Sequence, residues 1–446
     1  MRAGLVSRAI ALGVASAVGV VPPIAAAADA TRSGLVLSQI GTGMVSAGVG
    51  LQPGGKIVTA GSAYLDGAFK LFVMRHHADG RMDATFGQSG STLTPIAGWH
   101  AHATSLAIQR DDKIVVGGYV SRGNEAPSDF LTVRYLSSGE IDAGFNKTGW
   151  TVTDVSGDHD HGAGLVLQDD GRIVQVGITN ARYMLISARY DFALIRLDPD
   201  GRLDRTFGNR GKVVTRVGTT SEDTASAAAL QSDRRIVTVG YSRTRYEPDF
   251  TVVRHLPDGR LDRTFGDQGK VVLKLSEAGS SATGVAVQPD KRILVVGNAA
   301  RAPHFGEAAS VVARLRPDGG LDRSFGDAGV VTLGARLAGR KIALQDDGKI
   351  VVAGGGPSAA GSRSGVVVAR LLPNGRIDSS FGEGGVKTVA LDGQWLTVSS
   401  VLLQRDGMVL LAGSLSPGRY SYKDRSSTFL VRMTGDGHLP GRRNPA

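Results

Sequence analysis

Short runs of alternating apolar and polar residues fill the chain from residue 33 onward, and a two-residue alternation is typical of half-buried β-strands. In one stretch the pattern predicts strands at Lys270–Lys274, Thr283–Gln288, Arg292–Gly297 and Ser310–Leu315. Val and Ile dominate these runs, and Gly, Pro, Asp and Asn fill the gaps between them. No stretch keeps a helical period, so the pattern predicts an all-β fold.

Two sequence patterns alternate along the chain at a spacing of about 60 residues. The first reads apolar-Gln-x-Asp-x-basic-Ile-Val-x-x-Gly, and its glutamines are Gln52, Gln109, Gln168, Gln231, Gln288, Gln345 and Gln404. The second reads Arg-apolar-x-x-Asp-Gly-x-Leu-Asp-x-x-Phe-Gly-x-x-Gly, and its arginines are Arg75, Arg134, Arg196, Arg254, Arg314, Arg370 and Arg432. These seven copies cover nearly all of the chain after its N-terminal segment and leave no room for a separate catalytic domain.

Four strands repeated seven times predict a seven-bladed β-propeller of four-stranded antiparallel blades. Residues 33–37 align with residues 210–214, so the first strand of the repeat is present before repeat one and missing after repeat seven. We therefore expect residues 35–40 to pair with the last blade and close the ring, which removes an open sheet edge. A linear solenoid is the alternative, and it would need capping repeats.

The repeats resemble a known family. The sequence Asp-Gly-Arg-Leu-Asp-Arg-Thr-Phe-Gly at 200–208, with close copies at 258–266 and 318–326, is similar to the bacterial delta-60 repeat, as is Gln-Asp-Asp-Gly-Lys-Ile-Val-Val-Ala-Gly at 345–354. Six of the seven copies carry the resemblance, whereas the last has Gly-His-Leu-Pro at 437–440 in place of Gly-x-Leu-Asp. The resemblance implies an exported β-propeller and supplies no catalytic residues.

The N-terminus predicts export to the periplasm or the extracellular medium. Arg2 and Arg8 accompany an apolar core at Ala9–Val21, and Ala25–Ala28 offers small residues for signal-peptide cleavage. A membrane anchor is the alternative, but the core is short for a membrane span and no later run approaches that length. The expected organisation of this monomer is a signal peptide at 1–28, a propeller at 29–440 and a short tail at 441–446.

The amino-acid composition and net charge exclude some classes of function and disfavour others. The absence of cysteine excludes disulfides, thiolate metal sites and a cysteine nucleophile. Without Arg2 and Arg8, 49 basic residues face 41 acidic ones, a net charge of +8 that favours anionic partners only weakly. The basic residues form no dense block, so the sequence does not indicate a nucleic-acid partner. No nucleophile elbow or phosphate loop appears, which favours a binding or scaffold protein over an enzyme.

The repeated charged and aromatic residues are interpreted as structural. In six repeats an Arg and an Asp lie eight residues apart around a turn, so their side chains can pair across a hairpin, as Arg254 and Asp262 do in the fourth. A phenylalanine follows each pair, and we expect it to pack one blade against the next. These phenylalanines are Phe86, Phe145, Phe207, Phe265, Phe325 and Phe381.

Binding groups are expected on the variable loops, which strand alternation places on one face of the propeller. Tyrosine and arginine are concentrated in the loops of repeats three, four and seven, and they suit an acidic polysaccharide or another anion of the cell envelope. The predicted ligand-binding residues are Arg182, Tyr183, Arg189, Tyr190, Arg243, Arg245, Tyr246, Arg419, Tyr420 and Tyr422, with Lys423 and Arg425 beside them.

A second hypothesis is a divalent-metal site, zinc being one candidate, at the mouth of the central channel. Histidines recur nine and seven residues before the repeated glutamines in two neighbouring repeats, with carboxylates beside them. Such a site would support a metal-assisted hydrolase or lyase, whereas solvated loop polarity is the plainer interpretation. The predicted metal residues are His100, His102, Asp158, His159, His161 and Glu222.

Overall fold

The computed structural model describes residues 34–123, 126–180, 190–218, 222–243, 247–300, 308–334, 337–357, 364–391, 395–417 and 424–440. The predicted signal peptide and the tail at 441–446 lie outside these ranges. Within them the chain forms 28 strands and no α-helix, with one 3-10 turn at Pro53–Gly55. The all-β prediction is therefore confirmed. No helix in the described part of the chain is long and apolar enough to cross a membrane.

The strands are numbered in chain order. The first half of the chain contains β1 (Leu35–Ser38), β2 (Thr42–Leu51), β3 (Ile57–Leu65), β4 (Ala68–His76), β5 (Ser91–Thr94), β6 (His100–Ile108), β7 (Ile114–Ser121), β8 (Ser128–Tyr135), β9 (Trp150–Thr153), β10 (Asp160–Leu167), β11 (Ile173–Asn180), β12 (Tyr190–Leu197) and β13 (Lys212–Thr215). The second half contains β14 (Glu222–Leu230), β15 (Ile236–Arg243), β16 (Pro248–His255), β17 (Lys270–Leu273), β18 (Ser280–Val287), β19 (Ile293–Ala300), β20 (Ala308–Leu315), β21 (Val330–Thr332), β22 (Ala338–Leu344), β23 (Ile350–Pro357), β24 (Ser364–Leu371), β25 (Val386–Ala390), β26 (Trp395–Leu403), β27 (Val409–Ser416) and β28 (Ser427–Met433).

These strands form antiparallel four-stranded blades, as in a β-propeller. Strands β2–β5, β6–β9, β18–β21 and β22–β25 each pair in sequence order. The strands β10–β13 and β14–β17 do the same, and one parallel bridge between Tyr190 and Glu222 joins them into an eight-stranded sheet. The remaining blade has the order β1-β28-β27-β26, with Leu35 opposite Val431 and Ser38 opposite Thr428. It therefore combines both ends of the chain.

The four strands predicted between residues 270 and 315 are present with different bounds, at Lys270–Leu273, Ser280–Val287, Ile293–Ala300 and Ala308–Leu315. Strand β18 begins at Ser280 rather than at Thr283. Its register shifts between Ala282 and Gly284, so Thr283 is the extra residue of a β-bulge. A bulge inserts one residue into the ladder and breaks the two-residue alternation, so the pattern did not extend through it.

The first strands of successive blades lie against one another around an axis. Strand β6 contacts β2 and β10, the contacts continue through β14, β18 and β22 to β26, and β2 also contacts β26. The apolar core fills the spaces between blades, where Phe86, Phe145, Phe207, Phe265, Phe325 and Phe381 are completely buried. The faces of neighbouring blades are therefore the main buried surfaces.

The repeated Arg–Asp pair connects each of six blades to the next. Nε of Arg254 donates to Oδ2 of Asp262 at 2.9 Å, and both residues are buried. Nη1 of the same guanidinium donates to the carbonyl of Pro317 in the following blade at 2.6 Å, and the ring of Phe265 lies 4.3 Å from its Cζ. The predicted pairing across the hairpin is confirmed. The same contacts recur at Arg75, Arg134, Arg196, Arg314 and Arg370.

Glycine makes the close approach of neighbouring blades possible. Gly375 has a φ of +89°, and a Cβ there would lie 2.9 Å from the ring of Phe325 in the preceding blade. The adjacent Asn374 carbonyl accepts a hydrogen bond from the backbone of Gly326 at 2.9 Å. Only a residue without Cβ fits both the positive φ and the ring. The expected role of the phenylalanines in packing one blade against the next is confirmed.

Candidate functional site

The antiparallel pairing places all first strands with their N-terminal ends on one side of the propeller. We call this side the variable face. Most of the predicted ligand-binding residues lie outside the described residues. These are Arg182, Tyr183, Arg189, Arg245, Tyr246, Arg419, Tyr420 and Tyr422, together with Lys423. Tyr190 and Arg243 are described, and Arg425 is exposed shortly before β28.

Tyr190 and Arg243 come from two neighbouring blades and meet at Glu222. Tyr190 forms the parallel bridge to Glu222, and Arg243 lies opposite Glu222 in the β14–β15 ladder. Nη1 of Arg243 is 2.7 Å from Oε2 of Glu222, with the two side chains 43% and 39% exposed. One predicted metal residue therefore pairs with a predicted anion-binding residue, and the two candidate sites overlap at this point.

The predicted histidines form part of a stacked row of rings. The ring of Tyr119 lies between those of His102 and His161, at centroid distances of 4.7 and 4.2 Å. Phe69 continues the row, 4.6 Å from His102. Burial lowers the pKa of His102 to about 4, helped by the neighbouring histidines, and burial also lowers the pKa of His161. Both imidazoles are therefore neutral near pH 7, and each offers one hydrogen-bond donor and one acceptor.

The other two histidines flank this row. Nδ1 of His100 accepts a hydrogen bond from the backbone of Phe69 at 3.3 Å. Nε2 of His159 lies 3.7 Å from a carboxylate oxygen of Asp158, and its Nδ1 is 3.5 Å from Oγ of Ser128. The repeat alignment predicted the four histidines in equivalent loops of neighbouring blades, whereas His100, His102 and His161 lie within first strands and His159 directly precedes one. It could not show that Tyr119 would separate His102 from His161.

A cluster of carboxylates lies beside these histidines. In the described part of the chain, Asp129, Asp154 and Asp160 are the group of three potential metal ligands whose ligand atoms all lie within 4.8 Å of one another. None of the six predicted metal residues belongs to it. Burial raises the pKa of Asp160, although Thr179 and two neighbouring groups donate hydrogen bonds to its carboxylate. The metal-site hypothesis at the histidines remains a prediction.

The next pair of blades carries an arginine at the place of one of these acids. Arg216 directly follows β13, as Asp154 directly follows β9. Its Nε lies 3.2 Å from Asp191, which is buried and holds the position of Asp129 in its own blade. Arg216 thus balances the negative charge of Asp191 at this position, whereas Asp154 at the same position of the preceding blade adds a further acidic group beside Asp129.

Sequence reasoning missed one cationic feature of the variable face. The guanidinium of Arg122 lies 4.8 Å from the ring centroid of Trp99. Trp99 immediately precedes β6 and the exposed Arg122 immediately follows β7, so both lie at the same end of adjacent strands. They are 23 residues apart in sequence, and only the hairpin pairing brings them together. Arginine over an aromatic ring holds its charge in a fixed place.

The repeats match a protein family. A model described as "Domain of unknown function (DUF5122) beta-propeller" matches residues 52–86, 109–145, 168–207, 231–265, 288–325 and 345–381. The chain therefore contains six repeats of this β-propeller family, in agreement with the strands and blades described above. Among curated proteins no match is found.

Several solved structures are similar to the chain at low sequence identity. A PL25 ulvan lyase is 11% identical, with 90% of this chain and 97% of that chain covered at a TM-score of 0.49. The polysaccharide lyase Uly1 is 10% identical, with coverages of 87% and 90% and a TM-score of 0.48. The β-propeller domain of the Trilobed protease from Pyrococcus furiosus is 10% identical, with coverages of 90% and 98% and a TM-score of 0.43.

Proposed function

We propose that this chain, which carries six repeats of the DUF5122 β-propeller family, is a binding or scaffold protein whose variable face takes an anionic glycan or another anionic ligand of the cell envelope. The repeated charged residues are occupied in holding blades together. Binding groups are therefore sought among residues that differ from blade to blade. These lie on the variable face.

The observation that carries the proposal is the meeting of Tyr190 and Arg243 at the junction of two blades. The Arg243 guanidinium is half exposed and is oriented by Glu222. An exposed ion pair of this kind contributes under about 1 kcal/mol, so a carboxylate or sulfate can compete for the guanidinium. The backbone of Tyr190 pairs with that of Glu222 at the same junction, so the ladder places an aromatic residue of the neighbouring blade next to this ion pair.

The neighbouring blades supply complementary groups. Arg122 presents a second guanidinium over Trp99. His102 and His161 are neutral imidazoles, because burial lowers their pKa values, and they suit hydroxyl groups better than charges. An acidic polysaccharide offers both carboxylates and hydroxyls along its length, so it can use both kinds of group.

We further propose that the blades form one closed ring of seven. Strand order supports this count, because the eight-stranded sheet divides at the single bridge between Tyr190 and Glu222. Pairing of β1 with β28 supports closure, as does the contact of β2 with β26. The proposed protein is an exported monomer, with a signal peptide at 1–28 and the propeller at 29–440.

Affinity electrophoresis in gels that contain polygalacturonate or neutral dextran tests the binding function. We expect polygalacturonate to retard the wild-type protein and dextran to leave it unchanged. The variant Arg122→Gln/Arg243→Gln should lose most of the retardation. The control Arg263→Gln/Lys270→Met removes the same formal charge from the opposite face and the outer edge of blade β14–β17, and it should behave as wild type. Equal losses in both variants would contradict a site on the variable face.

A metal-assisted hydrolase or lyase is the second candidate function. The observation in its favour is the approach of His159 to Asp158, next to the acidic group Asp129, Asp154 and Asp160. Calorimetric zinc titration of wild type and of His100→Ala/His159→Ala separates this candidate from pure binding. A site at the histidines predicts heat that the double variant loses, and equal weak heats in both proteins would exclude it.

A further inference from the structure

Every first strand contains a β-bulge at an equivalent position. The bulges therefore give a structural alignment of the seven first strands that does not depend on their sequences. At this shared position, the shift in register leaves one residue of the first strand without a partner in the second strand. Six of the seven extra residues are small. They are Ala47, Thr104, Ala163, Ser226, Thr283, Arg340 and Ser399. Arg340 in β22 is the exception, and it is exposed.

The residue after each bulge shows the same contrast. Six blades carry glycine, alanine or serine there, and β22 carries Lys341. The aligned residues are Gly48, Ser105, Gly164, Ala227, Gly284, Lys341 and Ser400. The first strands are closely packed at this level, since a Cβ on Gly284 would lie 2.8 Å from the carbonyl oxygen of Arg340. Blade β22–β25 thus places two adjacent cations where the other blades place small neutral residues.

The elements that pack around these cations carry no compensating acid. Strand β22 contacts β18, β19, β20, β23 and β26. Of these, β18, β19, β23 and β26 contain no charged residue or histidine, and β20 contains only Arg314, which is bonded to Asp322. In the described residues no hydrogen bond or ion pair involves the side chain of Arg340 or Lys341.

The acids of other first strands are already engaged. Asp223 is completely buried and accepts hydrogen bonds from Ser242 and from the backbone of Val217 and Gly218. Glu222 pairs with Arg243, and Asp160 accepts hydrogen bonds from Thr179 and from the backbone of Val155. These acids also lie at the very start of β14 or β10, whereas Arg340 and Lys341 lie about 7–10 Å along β22 from the variable face, at the usual rise of a strand.

The surroundings of Lys341 disfavour its charged form. Burial, together with the adjacent Arg340, lowers the pKa of Lys341 to about 8. Nothing in the described protein offsets this cost, whereas an anion bound beside the two cations would. Arginine and lysine together provide directional N–H donors and a compact charge, the pair of groups that recognises oxyanions.

We propose that Arg340 and Lys341 form a site for the carboxylate, sulfate or phosphate group of a small ligand inside the axial channel bordered by the first strands. This inference is independent of the proposed function of the variable face, because the two involve different blades and different residues.

Calorimetric titration with inorganic phosphate at constant ionic strength tests the site. The variant Arg340→Thr/Lys341→Ser introduces residue types that other blades carry at these positions, so the fold should accept it. We expect at least about tenfold weaker binding in this variant, as for the loss of charge-assisted hydrogen bonds. The control Arg263→Gln/Lys270→Met should stay within about twofold of wild type. No saturable heat in the wild type, or equal weakening in both variants, would overturn the proposal.

Chemical labelling of the wild type provides a second test that needs no folded variant. Nζ of a neutral lysine attacks the aldehyde carbon of pyridoxal phosphate, water leaves, and hydride from added borohydride reduces the imine to a stable amine. At pH 7 we expect Lys341 to be labelled, because its lowered pKa leaves part of it neutral. Inorganic phosphate or glucuronate should protect Lys341 and leave Lys270 unaffected. Mass spectrometry of the peptides that shows no selective protection would overturn the site.

Discussion

Two kinds of contact between blades hold this propeller together. At a repeated joint, such as that between blades β14–β17 and β18–β21, Arg254 binds Asp262 and the carbonyl of Pro317, and Phe265 fills the space beneath it. The terminal joint lies between the blade that contains both chain ends and blade β2–β5. There Arg432 bonds to Gln404 and Asp406 of its own blade instead.

The terminal joint keeps only part of these contacts. Cγ2 of Val36 lies against Gly80, as Cγ2 of Val213 lies against Gly259 at a repeated joint, but only the repeated joint adds a phenylalanine ring, that of Phe207. Oγ of Ser46 lies 2.8 Å from Oγ of Ser399, and its backbone donates to Ser414 at 2.6 Å. The backbone contact to a serine also occurs at a repeated joint, where Ala103 donates to Ser62 at 2.7 Å. The terminal joint therefore lacks the buried charge pair and the phenyl ring. The difference indicates that the contacts between blades are strongest within the repeats and weakest where the chain ends meet.

The largest expected effect comes from removing the N-terminal strand. Deletion of the chain through Ser38 leaves β28 without its outer partner and uncovers the apolar surface around Val36. Three aliphatic side chains lose burial, which should lower the free energy of unfolding by roughly 5 kcal/mol. Urea unfolding measures this loss, and size-exclusion chromatography should detect oligomers formed through the exposed edge. A monomeric truncation with unchanged stability would mean that β1 does not stabilise the terminal joint.

A smaller effect separates the apolar parts of the two joints. Phe265→Ala should lower the free energy of unfolding by about 4 kcal/mol, because a completely buried ring leaves a cavity between blades. Val36→Ala removes less volume at the terminal joint, which has no such ring, and should cost about 1–2 kcal/mol. Urea unfolding of both variants checks this order. Equal losses would mean that the terminal joint is packed as strongly as the others.

The polar contacts should also contribute more stability at a repeated joint than at the terminal joint. Arg254→Ala should cost about 3 kcal/mol, since it strands the buried carboxylate of Asp262. Arg432→Ala breaks a pair whose Asp406 side chain is 51% exposed, and it should cost under about 1 kcal/mol. In a double-mutant cycle, Arg254→Ala/Asp262→Ala should cost less than the sum of the single changes. Additive losses would show that the two side chains do not interact.

The smallest effect at neutral pH concerns two buried histidines in equivalent positions. His76 faces Ser38 of β1 at the terminal joint, and His255 faces Thr215 of β13 at a repeated joint. Burial lowers the pKa of each to about 4 from an ordinary value of 6.5. The unfolded chain therefore binds protons more readily below pH 6.5, and stability should fall as the pH drops from 6.5 towards 4.

Leucine occupies this position in three other blades, at Leu197, Leu315 and Leu371. We expect His76→Leu and His255→Leu to reduce the loss at pH 5 by about 2 kcal/mol each and to change little at pH 7.5. Urea unfolding at both pH values makes the comparison. A pH dependence identical to that of wild type would show that neither histidine is the source of acid sensitivity.

The parts of the fold that the sequence predicted are those that repeat. Arg254 and Asp262 were recognisable as partners because the same spacing recurs around the same turn. Val36 was recognisable as part of an outer strand because its neighbours align with those of Val213. Repetition works because each blade presents the same surface to the next, so one local pattern implies a contact between blades.

The candidate sites depend on contacts that no repeat displays. Tyr119 separates His102 from His161 because His102 and Tyr119 of one blade face His161 of the next, and no other repeat has these three residues at these positions. Arg340 and Lys341 became conspicuous once the bulges gave a structural alignment of the first strands. A bulge is set by backbone register and hardly marks the sequence, so these cations could not be assigned to the channel in advance.

Native-state hydrogen exchange tests the central claim most directly, because it compares equivalent outer strands within one molecule. We expect the amides of the β1–β28 ladder to open with a free energy at least about 1–2 kcal/mol below that of the β16–β17 and β20–β21 ladders. Exchange resolved by nuclear magnetic resonance or by mass spectrometry of peptides gives these values. Protection of β1 equal to or greater than that of β17 and β21 would contradict a weaker joint at the chain ends.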